Sequence, residues 1–215
     1  GWGYLTTIGL ILRFFISKEL RNNKKYKVLL SIITSSIILM LISFPLSGYK
    51  LFSIALLSLF GITSYFLTFR LLKDLNAYSV GAKFIRYGLF YYLLSSLATW
   101  FLAYVIVSQG KTDLYYNTVY FYLHFLYNGF FVFSLLGLLF YFFNQQKIKY
   151  SLLMQNKIFI FHNTACIPTY FLSVLWSTEV SFYYVAGFFG SFFQLIALFY
   201  FIKLYLEFYK QLNWN

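Results

Sequence analysis

Apolar residues fall into seven long blocks, at about 1–17, 28–45, 51–72, 87–107, 115–143, 158–176 and 180–206, separated by short polar stretches. No block shows the strict alternation of a half-buried strand, and each except the first is long enough to cross a hydrocarbon core of roughly 30 Å as an α-helix. Lipid satisfies no backbone polar group, so such blocks must close their own hydrogen bonds. The pattern predicts an all-α polytopic membrane bundle of seven transmembrane helices, forming one unit over residues 1–215.

The block at 1–17 covers about 25 Å at ~1.5 Å per residue. Its charges follow the apolar stretch, unlike those of a signal peptide. It begins at the first residue without a Met, and the chain is expected to be the C-terminal portion of a longer protein. Pro45 is expected to stop the second helix and Pro168 to interrupt the sixth, leaving the Thr164 carbonyl free. The tail from Glu207 to Asn215 is polar.

Charge then orients the blocks. Lys18, Arg21, Lys24, Lys25, Lys27, Arg70, Lys73, Lys83, Arg86, Lys147, Lys149 and Lys157 flank the connections after blocks one, three and five. Arg13, Lys203 and Lys210 join that side, and only Lys50 and Lys111 fall on the other. Such asymmetry marks cytoplasmic loops, which puts Gly1 outside and Asn215 in the cytoplasm of a bacterial inner membrane. Trp2, Tyr49, Tyr115, Tyr116 and Trp176 then form an outer aromatic belt. The net charge of +12 is accounted for by topology, and no nucleic-acid partner is expected.

Composition agrees: 61 % of residues are apolar and 10 % charged. The single cysteine, Cys166, lies within a block, so no disulfide or cysteine-based zinc site can form within the chain. None of the five acids lies inside a block, which argues against proton- or sodium-coupled transport by these residues. No phosphate loop, nucleophile elbow or metalloprotease motif is present.

The remaining chemistry rests on few residues. His124 and Asn128 share a face of the fifth helix, one turn apart. Imidazole can ligate haem iron, copper or zinc, with Asn128 orienting it; it can equally bridge two helices by hydrogen bonds. Gly129 and Gly137 admit either a neighbouring helix or a flat ligand. His162 falls in the inner half of the sixth helix, roughly 15 Å from His124 along the membrane normal at ~1.5 Å per residue. Small residues at Ser58, Gly61 and Ser64, and at Ala186, Gly187, Gly190 and Ser191 beside Gln194, mark helix contacts.

The segment Tyr120-Phe121-Tyr122-Leu123-His124-Phe125-Leu126-Tyr127-Asn128-Gly129-Phe130-Phe131 resembles one in a group of bacterial multi-pass membrane proteins distantly related to haem–copper oxidase subunit I. The opening Gly1-Trp2-Gly3-Tyr4-Leu5 is similar to the stretch that follows a His-rich motif in that group. The resemblance implies a haem or transition-metal site in the outer leaflet, with His124 as a ligand and Asn128 supporting it. Three functions are therefore expected: a haem- or metal-associated subunit of oxidase-like ancestry, a transporter or channel for a neutral or lipid-like solute, or a scaffold or assembly factor. Whether the chain is an enzyme stays open; its partners are the bilayer and other membrane subunits.

Overall fold

The computed structural model describes residues 1–76 and 79–211, and all regular structure among them is helical. Helix α1 (Trp2–Phe15) is followed by a single turn, α2 (Lys18–Arg21), capped by the Ser17 hydroxyl on the Leu20 N–H. Two long helices, α3 (Lys24–Ser47) and α4 (Leu51–Asp74), form a hairpin. Helix α5 (Ala82–Ser108) comes next. A long rod then runs as α6 (Asp113–His124), a π-helical stretch (Phe125–Phe131) and α7 (Val132–Gln145). Helix α8 (Leu152–Cys166) continues as a 3-10 helix (Pro168–Ser177), and α9 (Ser181–Tyr209) closes the described chain. The last four residues of the polar tail lie outside the described residues.

Six of these rods are long and apolar enough to cross a membrane: Lys24–Ser47, Leu51–Asp74, Ala82–Ser108, Asp113–Gln145, Leu152–Ser177 and Ser181–Tyr209. Helix α1 is shorter, about 21 Å at ~1.5 Å per residue. It is nonetheless central. Its Ile8 and Ile11 are fully buried with Leu67 and Leu71 of α4 and Ile85 and Leu89 of α5 in one core cluster. A second cluster gathers Phe84 and Tyr91 of α5, Phe125, Phe133 and Phe140 of the long rod, Phe159 of α8 and Leu204 of α9. Helix α5 thus contributes to both.

Close packing of α5 on the rod follows from glycine. A Cβ at Gly137 would lie 2.7 Å from Ile85 Cδ1, and one at Gly88 2.9 Å from Ser134 Oγ. Gly129 and Gly137 therefore admit a helix. The chain corrects one expectation for Pro45, which lies inside α3 and does not end it. The helix stops within a turn of the proline, at Gly48, whose φ of +61° and N–H to the Phe44 carbonyl (2.8 Å) make the C-terminal cap. A proline so close to the end costs one hydrogen bond in a turn that is already fraying.

At the lysine- and arginine-rich end, α3 and α4 are tied by polar side chains. The Tyr26 hydroxyl donates to Asp74 Oδ2 (3.0 Å), Arg70 pairs with the same carboxylate (3.4 Å), and the Arg70 guanidinium sits 5.1 Å over the Tyr26 ring.

Candidate functional site

Two rods carry backbone defects at the same level. In the first, Phe125–Phe131 winds as a π-helix, and the Val132 N–H reaches back to Tyr127 and Gly129. Asn128, between them, is bypassed at that step. In the second, Pro168 brings no N–H, and the chain tightens into a 3-10 helix in which the Tyr170 N–H bonds to Ile167 (3.1 Å). An α-helix would have sent that donor to Cys166. The carbonyl freed for outside use is therefore that of Cys166, two residues beyond the Thr164 carbonyl expected from the proline alone.

The defect at Pro168 meets a histidine from the opposite rod. His124 Nε2 lies 2.7 Å from the Cys166 carbonyl. A carbonyl only accepts, so Nε2 carries the proton and Nδ1 is the acceptor, taking an N–H from the Asn128 amide at 3.2 Å. This bridge sets His124 opposite Cys166, one turn beyond His162 on the second rod, so the two imidazoles are offset by about one helical turn, ~5.4 Å. The 15 Å expected from sequence is too large, because the second rod runs from Leu152 to Ser177 and its middle lies closer to His162 than the apolar block suggested.

The geometry decides what His124 can do. Both its ring nitrogens are engaged within the chain, and the ring is 7 % exposed. Ligation would require Nδ1 to give up Asn128, or Nε2 to give up both its proton and Cys166. Among the described residues no three His, Cys, Asp or Glu side chains converge on one point. A haem or metal ion does not fit this arrangement at His124; a hydrogen-bonded bridge does. Thr169 completes it by donating to Ala165 (2.8 Å) and approaching Cys166 (3.3 Å). Asn163 accepts from the Tyr91 hydroxyl of α5 at 2.9 Å, and Asn117 and Ser177 join the two rods near their ends at 2.8 Å.

His162 is different. It is 9 % exposed and packs on the Phe133 ring at 4.9 Å, and its Nε2 is buried with no partner among the described residues. Sequence reasoning ranked it below His124, since no local signal shows which of two intramembrane histidines finds both its partners. His162 borders a crevice of about 540 Å³ between α7, α8 and α9, whose wall also includes Val132, Leu136, Ser191, Gln194 and Leu198. Gln194 is exposed there, one residue from the middle of α9. The small residues of α9 set the register. A Cβ at Gly190 would lie 2.8 Å from the Thr169 nitrogen, and Gly187 faces Leu172.

No family model matches the chain, and no curated protein or solved structure matches it.

Proposed function

We propose that the chain is a seven-crossing protein of a bacterial cytoplasmic membrane, with Gly1 outside and its basic connections inside, that takes up a neutral, lipid-like molecule in the lateral crevice of α7, α8 and α9. The excess of Lys and Arg on one set of connections supports the orientation. The burial of α1 in one core cluster beside the longer rods supports counting it as a crossing, which makes seven with the six longer rods.

One observation carries the functional reading. A crevice of about 540 Å³ opens sideways near mid-span, and an exposed glutamine stands in it where lipid chains offer no hydrogen bond. Among the described residues no Asp, Glu, Lys or Arg lines it, which supports an uncharged occupant. Solute transport or a channel-like path is the wider class to which this belongs. The geometry at His124 favours it over the haem or metal reading, because the imidazole has no uncommitted nitrogen.

A photoreactive hydrocarbon probe in lipid nanodiscs tests the reading. Adducts should concentrate on the crevice residues Gln194, Leu195 and Leu198 and fall several-fold in a Leu195→Trp, Leu198→Trp variant that fills the space. Uniform labelling around the whole circumference of α9 would overturn it.

A further inference from the structure

We propose that the groove between the start of α3 and the end of α4 binds one anionic phospholipid, with Lys24, Lys25 and Arg70 around its phosphate and Val28, Leu29 and Phe66 along its acyl chain. The site is separate from the crevice of α7, α8 and α9 and owes nothing to what that crevice binds.

Register places these residues in depth. The hairpin is tied at one end by Tyr26 and Asp74 (3.0 Å) and at the other by Ser47 and Ser53 (3.1 Å), which fixes one antiparallel pairing along its length. That pairing sets Arg70 opposite Leu30 and Phe66 opposite Thr34. Measured from Lys24, the Arg70 backbone is about 9 Å deeper and that of Phe66 about 15 Å deeper, at ~1.5 Å per residue. The Arg70 guanidinium turns back towards the end of the hairpin, ion-paired to Asp74 and resting on the Tyr26 ring, and its side chain stays 24 % exposed. These residues line a groove of about 600 Å³, within the range of roughly 300–1,000 Å³ usual for ligand sites. It is cationic at its mouth and apolar below.

The gradient matches the bilayer. With 24 residues, α3 is about 36 Å long, some 6 Å more than the hydrocarbon core, so its first turn stands among the headgroups. Val28 and Phe66 lie deeper and are exposed to the chains.

Charge decides which lipid. Among the described residues no Asp or Glu lines the groove. Asp74, beside it, offsets Arg70; Lys24 and Lys25 have no carboxylate within ion-pair distance among the described residues. A phosphodiester whose headgroup is otherwise uncharged answers that excess. A zwitterionic headgroup brings its own cation to the same mouth, and a soluble phosphate leaves the apolar floor uncovered. Basic pockets between crossings hold anionic headgroups by this means, each Lys or Arg near the surface contributing about fivefold in affinity.

The experiment places the full chain in nanodiscs with photoreactive phosphatidylglycerol or photoreactive phosphatidylcholine of identical acyl chains, and maps the adducts. Phosphatidylglycerol should mark Val28, Leu29 and Phe66 on the order of 20-fold better, about fivefold for each unpaired lysine. Lys24→Gln, Lys25→Gln should bring the ratio close to one. Both lysines are exposed and the Asn23 side chain caps a main-chain N–H, so this variant keeps the helix start. Val28→Trp, which fills the floor without changing charge, should lower phosphatidylglycerol capture several-fold. Lys147→Gln, Lys149→Gln, an equal charge change on another connection, should leave the ratio as it was; a matching fall there would reduce the effect to diffuse surface charge and overturn the inference. Equal capture of the two lipids, or no adduct in the groove, overturns it as well. So does displacement of phosphatidylglycerol by inorganic phosphate, which would assign the mouth to a soluble anion. Cross-linking of Val28→Cys to a second copy, in a Cys166→Ala background, with both lipids excluded would make the occupant a helix and the inference wrong.

Discussion

A neutral imidazole in hydrocarbon needs one donor and one acceptor beside it, and His124 finds both. Its value to the bundle lies in the Cys166 carbonyl and the Asn128 amide, which both lose a partner when the ring is removed. His124→Leu should destabilise the protein by about 1–3 kcal/mol, towards the lower figure because the Thr169 hydroxyl already approaches Cys166. His124→Gln, which can present an N–H towards Cys166, should recover part of the loss. Thermal unfolding in detergent measures both, and a Leu variant as stable as the parent would mean that the bridge carries no weight. At this scale the sequence singled out His124 and Asn128 and left ligand and bridge as alternatives. The choice between them depended on a main-chain atom some forty positions away, which no local pattern reveals.

Elements differ in how openly they announce themselves. The long rods are written in unbroken apolar runs, and the interruption at Pro168 is written in a missing N–H. The form of that interruption is not, since a proline fixes where an α-helix fails and not what replaces it. Here ten residues wind as 3-10 helix, whose rise of about 2.0 Å per residue lengthens the rod by some 5 Å over an α-helical path. Pro168→Ala should let this stretch return to α-helix and send the Tyr170 N–H to Cys166, in competition with His124. Histidine-selective ¹⁵N NMR in nanodiscs should then show the protonated Nε2 signal of His124 shifted or broadened. An unchanged spectrum would assign the 3-10 form to the packing of Gly187 and Gly190 on α9. The π-helical stretch carries still less local signal, only an Asn-Gly pair of low helix propensity.

For the molecule as a whole, charge and hydropathy speak most clearly. Six rods of spanning length, all helical, correspond to apolar blocks in the chain. What could not be read was the standing of α1, the shortest apolar rod and one of the best buried, since burial depends on where four other helices lie. The proposed orientation makes a direct prediction: a cysteine at Lys149, in a Cys166→Ala background, reacts with a membrane-impermeant maleimide only after the cytoplasmic face is opened, and one at Lys111 reacts in intact cells. The reverse pattern would invert the topology. The bridge between the two rods also bears on how the protein is made. A main-chain carbonyl stripped of its partner is costly in oil, and the Cys166 carbonyl of the second rod is partnered by His124 of the first. The crossings joined by the short link 146–151 are therefore expected to leave the translocation machinery together, as one hairpin, with the earlier segment held back until the later one has been synthesised.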